Sequence, residues 1–135
     1  MKLWVLDTNV LVSAALTRGG VCDRLLQATQ EGRFGPAWNA AMLREYREVL
    51  LRPKFGLSAR VVAEVLAMFR LEGYREGESG VELPDPDDAV FLSVALAADG
   101  VLVTGNVKHF PEKLRQGVEV LTPAEAMGRL RIGHG

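Results

Sequence analysis

Three acidic residues stand where short apolar runs give way to polar sequence or where a helix begins: Asp7, Glu45 and Asp88. Asp7 follows the run Leu3-Trp4-Val5-Leu6. Glu45 lies in the first turns of a helix opened by Asn39, and Asp88 starts the helix that feeds a later run, Val101-Leu102-Val103. If the two runs are neighbouring strands, the acids share one edge of a sheet. Clustered carboxylates repel one another and desolvate poorly, so three together make sense chiefly around a hard cation such as magnesium or manganese. A formal charge of −3 from these acids is offset by one or two divalent ions. Such an ion keeps waters, one of which can be deprotonated to attack phosphorus while the ion neutralises developing charge. That chemistry is phosphodiester hydrolysis. Each acid also has a structural reading. Asp7 can cap the next helix, Asp85, Asp87 and Asp88 can complement a helix dipole, and Glu45 beside Arg44 and Arg47 can be a surface acid.

The elements that must position these residues follow from apolar spacing. Leu3 to Leu6 reads as a strand buried on both faces of a parallel sheet. Asn9–Leu16 and Val21–Gln30 read as helices stopped near Gly19-Gly20 and Gly32, and Arg33–Ala37 as a weak strand interrupted by Gly35 and Pro36. Asn39 caps a helix with Met42, Tyr46, Val49 and Leu50 on its apolar face, ended by Arg52-Pro53. Ser58 caps a long helix with Val61, Val62, Val65, Leu66 and Phe69 along one stripe and Gly73 at its end. After the polar stretch Glu76–Gly80, Val81–Leu83 is a short strand. Asp85 opens a helix with Pro86 at its first position that runs to about Asp99. Val101–Val103 and Val118–Leu121 are further strands, and Thr122-Pro123-Ala124-Glu125 is a capping box for a last helix, with Ile132 to Gly135 fraying. Strands alternating with helices predict an α/β fold around a mostly parallel sheet. Ligands in such sheets sit beyond the carboxyl ends of the strands, which singles out Asp7, Thr8 and Asn9 after the first strand and Thr104, Gly105 and Asn106 after the Val101 strand.

The whole chain, 135 residues and 48% hydrophobic, suits one domain with a core of its own. The lone Cys22 allows no intramolecular disulfide and no zinc ribbon. Runs without charge reach only ten residues (Thr8 to Thr17, for example), against the roughly 20 that a membrane-spanning helix needs. The start, interrupted by Asp7, is not a signal peptide. The expectation is a cytoplasmic protein with no membrane attachment. Net charge is −1, but five basic and two acidic residues over 44–60 are followed by two and eight over 61–88. This polarity is compatible with a cation site beside an anion-binding rim, or with solvated surface charge. A haloacid-dehalogenase-like phosphatase needs a second Asp at position 9, which is Asn. A dinucleotide-binding site needs G-x-G-x-x-G after the first strand, and Asp7-Thr8-Asn9 stands there instead.

The opening LWVLDTNVLVSAAL, with AMLREYREVLLRPKF at 41–55, LPDPDDAVFLSVALAADGVLVTGNVKHFP at 83–111 and VEVLTPAEAM at 118–127, resembles PIN-domain proteins. The resemblance is to VapC-like toxin ribonucleases of prokaryotic toxin-antitoxin pairs. It implies a three-layer α/β/α sandwich on a five-stranded parallel sheet of order 3-2-1-4-5. It also implies a magnesium- or manganese-dependent ribonuclease, a homodimer, and an antitoxin whose tail covers the pocket. Position by position, Asp7, Glu45 and Asp88 match the family's catalytic acids and metal ligands. Asn9 matches the polar residue that hydrogen-bonds around the site, and Thr104 the threonine after the fourth strand. Thr8, Asp85 and Asp87 are supporting residues. Asn106 occupies a catalytic position where many members carry Asp. Its amide oxygen can accept a water proton or ligate a cation but adds no charge.

An RNA strand entering an acidic pocket needs cations around it. Arg44, Arg47, Arg52 and Lys54 form one candidate group, and Lys108 with His109 a second. The other reading of the same fold is a catalytically weak dimer that binds RNA or a protein. A small phosphatase is a third class. Trp4 is expected in the core, and Trp38 is open between core and base stacking.

Overall fold

A computed structural model describes residues 1–77 and 83–132 of the chain. Strand β1 (Leu3–Leu6) is followed by helices α1 (Thr8–Leu16) and α2 (Val21–Gln30), the short β2 (Gly35–Pro36), α3 (Ala40–Leu50) and α4 (Ala59–Leu66). After 83 come α5 (Pro86–Ala97), β3 (Val101–Val103), β4 (Glu119–Leu121) and α6 (Pro123–Ile132). All four residues of β1 and all three of β3 are buried. Because successive strand residues point to opposite faces, both faces of these strands are covered, which is why their sequences are continuously apolar rather than alternating.

The strands run parallel in the order β2-β1-β3-β4. In the register, Val5 pairs with Leu102 and Leu6 with Val103. The neighbour relation that the acid argument requires is therefore present. The expectation of five strands in the order 3-2-1-4-5 is corrected for the described residues: among them four strands form, and beyond β2 pairing shrinks to a single parallel bridge between Trp38 and Tyr74. Pro36 limits pairing on that edge. Gly35 and Ala37 send their N–H groups to the carbonyls of Lys2 and Trp4 in and beside β1, both at 2.8 Å. Pro36 faces outward, where a further strand would need a donor that proline lacks. Only Trp38 bonds on that side, giving its N–H to Gly73 at 3.0 Å and accepting from Arg75 at 2.9 Å. The chain then leaves the sheet, because Asn39 caps α3 with its side chain accepting from Met42 N–H. β2 is accordingly shorter than the predicted Arg33–Ala37.

The long helix expected from Ser58 to Gly73 is also corrected. Ser58 does cap it, but α4 ends at Leu66 and the chain continues through a 3-10 turn, Leu71–Gly73. Trp38 Nε1 donates to the Arg70 carbonyl at 2.7 Å, and Gly73 passes so close to β2 that a Cβ there would lie 2.2 Å from the Pro36 carbonyl. Docking to the sheet edge ends the helix. Phe69 stays buried while Val61 is exposed. Of the short strand expected at Val81–Leu83, residues 81 and 82 lie outside the described residues and Leu83 is irregular; residues 133–135 are outside them as well.

The remaining elements match their sequence signals closely. Thr122 and Glu125 exchange capping-box bonds at 2.8 and 3.1 Å. In α5, Phe91 to Ala95 are buried without interruption, more than one helical turn, so this helix is packed on all sides. One hydrophobic core runs from β1 through α6 and includes Trp4 stacked on Phe34. Among the described residues no helix is long and apolar enough to cross a membrane.

Candidate active site

β1 ends at Leu6 and α1 begins at Thr8, so Asp7 takes the N-cap position with extended backbone. Its carboxylate makes no capping bond. Instead, Oδ2 accepts from the Thr104 hydroxyl at 2.8 Å, across the gap to the end of β3. The structural reading of Asp7 as a mere cap therefore fails. Thr104 is fully buried, and its Oγ1 accepts the Asn106 N–H at 2.9 Å. Asn9 bridges the same two strand ends. Its Oδ1 accepts from Gly105 N–H at 3.0 Å, and its Nδ2 lies 3.4 Å from Asp7 Oδ2 and 3.5 Å from Thr104 Oγ1.

Glu45 arrives from α3. The neighbouring Tyr46 is wholly buried and donates its hydroxyl to the Leu6 carbonyl, which pins α3 to the end of β1. This places Glu45 beside Thr8, whose hydroxyl donates to Glu45 Oε2 at 2.5 Å. From spacing alone Tyr46 is a core residue. Its polar tip is also a positioning device for the second acid.

The three acids of α5 divide by role. Asp85 caps the helix, accepting from Asp87 N–H at 2.9 Å, and Asp87 is exposed in the first turn. Asp88 is only 8% exposed, and its Oδ2 has no hydrogen-bond partner. His109 Nδ1 lies 3.4 Å from that oxygen, with the imidazole half-exposed. The contact becomes an ion pair when the ring is protonated.

Thr8, Asn9, Glu45, Asp85, Asp87 and Asp88 line a cavity of about 380 Å³ together with Val12, Ser13, Val49 and Phe55. An adjoining cleft of about 310 Å³ shares Glu45, Val49 and Asp87 and adds Ala41, Arg44, Glu48 and Arg52. Burial raises the pKa of Asp7, against the opposing Thr104 hydrogen bond. Burial also raises Glu45, against the Thr8 hydroxyl, with the charges of Asp7, Asp87 and Asp85 adding to the rise. Asp88 is pushed up to about 6, first by burial and then by Asp7 and Asp85, with His109 opposing. The acids therefore sense one another as a group short of positive charge.

An all-oxygen donor set of this kind suits a hard cation, and the Asp88 oxygen that makes no hydrogen bond leaves a bond for one to make. In the arrangement seen, no three Asp, Glu, His or Cys side chains among the described residues converge tightly enough to ligate a single ion. Coordination through one or two carboxylates, with waters and substrate phosphate completing the shell, is what magnesium commonly accepts.

The other expected residues are less concentrated. Asn106 is exposed and tied to the site through its backbone N–H. Arg47 and Lys108 are exposed, Arg44 and Arg52 line the adjoining cleft, and Lys54 Nζ lies 5.1 Å from the centre of the Phe55 ring. Trp38 is half-buried, edge-on to Tyr74 and bonded to the Arg70 carbonyl, a structural position. Phe55, Val12 and Val49 were not recognised as site residues because an apolar lining has no spacing signature distinct from core, and Ser13 because a lone serine in a helix carries no signal.

No curated protein matches the chain. The family described as PIN domain matches residues 4–108, a span that opens inside β1 and closes just after Asn106. PIN domains are generally nucleases and usually use divalent metal ions. With more than three quarters of its length covered by that match, the chain belongs to the PIN domain family.

Proposed function

We propose that this protein is an endoribonuclease that hydrolyses phosphodiesters in single-stranded or structured RNA, with magnesium or manganese held by Asp7, Glu45 and Asp88. The observation that carries this reading is Asp88 Oδ2, buried without a hydrogen-bond partner beside a cavity shared with Glu45. An unsatisfied buried polar atom costs on the order of 1–3 kcal/mol, and more when charged. A cation removes that cost. When bound, the ion supplies charge neutralisation at the phosphate and lowers the pKa of water.

The chain's own residues prepare the site. Thr104 and Thr8 each donate a hydroxyl proton to a carboxylate, which favours the charged, ligating forms of Asp7 and Glu45 against burial. Asn9 ties the ends of β1 and β3 together and so holds the spacing of what they carry. Asn106 contributes an amide without charge, so the site relies on three acids. Arg44, Arg52 and Lys54, with Lys108 and His109, are the cations we assign to the RNA phosphates, Arg44 and Arg52 from the cleft that adjoins the cavity. By its resemblance to VapC-like proteins we assign the toxin role of a toxin-antitoxin pair, a homodimeric state and an antitoxin that covers the pocket. A second reading, an RNA- or protein-binding dimer of weak activity, is favoured by Asn106 and by the loose convergence of the acids.

The deciding experiment is cleavage of a mixed single-stranded RNA pool with manganese or magnesium by the wild type, Asp7→Asn and Asp88→Asn, with EDTA as control. Cleavage lost in EDTA and in both variants is expected. Metal-independent cleavage, or full activity in both variants, would refute the assignment; a folded dimer that binds RNA but never cuts it would establish the second reading.

A further inference from the structure

Resting on the nuclease reading, we propose that the cavity holding Glu45 and Asp88 also contains a subsite for one unpaired nucleobase of the RNA, with Phe55 as its stacking surface. Phe34, Phe69, Phe91 and Phe110 are all buried in the core. Phe55 is half-exposed and belongs neither to the core cluster nor to the apolar side chains packed against it, yet it lines the acid-bearing cavity together with Val12 and Val49. A rigid turn presents the ring. Pro53 restricts its own φ, Phe55 N–H bonds the Arg52 carbonyl at 3.0 Å and Gly56 N–H that of Pro53 at 3.1 Å. Gly56 closes the turn at φ +64, a left-handed conformation that glycine adopts without strain.

The lining thus combines apolar side chains with carboxylates, which matches the two halves of a nucleotide's own chemistry: a flat π face, and a phosphate that meets carboxylates through a cation. Cations accompany the match. Lys54 Nζ lies over one face of the Phe55 ring, 5.1 Å from its centre, so the base takes the other face, and the adjoining cleft, which shares Glu45, Val49 and Asp87 with the cavity, carries Arg44 and Arg52 for the next phosphates. Bases inside a duplex are stacked on one another and present no free face, so the substrate class is single-stranded RNA, or a loop in a folded one.

The test uses short single-stranded RNAs with 2-aminopurine moved through successive positions, titrated with the full-length protein in calcium. Fluorescence reports both affinity and stacking. Quenching confined to one position is expected for the wild type and for Phe55→Trp. Phe55→Ala and Phe55→Leu should lose it and bind about 5- to 160-fold more weakly, the range set by base–aromatic stacking. An RNA abasic at that position should bind the wild type equally weakly, a readout that does not depend on any variant folding. Equal affinity and quenching in wild type and Phe55→Ala, restoration by Leu, or absence of RNA binding would overturn the subsite. Manganese-dependent cleavage measured alongside separates the two ideas. Position-specific quenching without cleavage would sink the nuclease reading and leave the base subsite standing, whereas cleavage with Phe55→Ala unchanged in affinity would do the reverse.

Discussion

Asp88→Asn should make the metal-free protein more stable at neutral pH while abolishing its activity. The carboxyl is buried, Oδ2 has no hydrogen-bond partner, and its pKa rises from 3.8 to about 6. A carboxyl with a raised pKa holds its proton more tightly in the folded than in the unfolded chain. Its contribution to stability is therefore complete below pH 3.8 and is lost as pH climbs through about 6. The shift corresponds to about 3 kcal/mol, an upper limit for what the amide recovers, since Asn also gives up any attraction to protonated His109. A gain of about 1–3 kcal/mol at pH 7.5 is expected, read by urea or thermal unfolding of EDTA-treated protein. At pH 3.5, where wild-type Asp88 holds its own proton in both states, the advantage should vanish. Adding magnesium should stabilise the wild type and leave the variant nearly unmoved, by mass action on the folded state. Asp88→Asn destabilised at pH 7.5, or equally stabilised at both pH values, would refute the argument that this acid is held in a strained ionised state for a ligand.

Other consequences follow from named contacts. Thr104→Val removes the donor that lowers the Asp7 pKa, so the acidic limb of the pH–rate profile should move to higher pH; an unmoved limb would detach Thr104 from the chemistry. Tyr46→Phe deletes the buried bond to the Leu6 carbonyl and should cost about 1 kcal/mol in chemical denaturation, together with a loss of divalent-ion affinity as Glu45 is released from its place. Gly73→Ala drives a Cβ to 2.2 Å from the Pro36 carbonyl, a clash that only backbone movement relieves. A loss of about 1–3 kcal/mol is expected, checked by thermal melting, with the acid site unchanged in metal titration. Arg44→Ala and Arg52→Ala, on the adjoining cleft, should each weaken RNA binding uniformly across sequences and reduce the salt slope by about 1, measured by binding titrations over a range of salt.

Much of this architecture is local enough to be written in short stretches of chain. Continuous apolar runs marked β1 and β3 because strands buried on both faces have no polar side to alternate with. Asn39, Ser58, Asp85 and the Thr122–Glu125 pair marked helix starts because capping bonds span only two or three residues. The identities of the acids were equally local, since a carboxylate at a strand end or a helix start is visible without knowing what lies across from it.

What tertiary structure decided were the relations between segments far apart in sequence. Asp7 as a cap and Asp7 as a site residue are the same letter; only the arrival of Thr104, 97 residues on, separates them. Asp88 differs from Asp85 by burial and by an oxygen that makes no hydrogen bond, and burial is set by packing rather than by the residues beside it. The short β2 and the shortened α4 go with the close approach of Gly73 to Pro36 at the sheet edge. The apolar lining with Phe55 was hidden for a related reason: an aromatic residue declares its hydrophobicity in the sequence, but whether it faces the core or a cavity depends on how the turn that carries it docks. Sequence alone thus determined which groups could do chemistry and which elements would carry them. The folded chain determined which of those groups meet, because proximity, desolvation and mutual charge are properties of the assembled molecule.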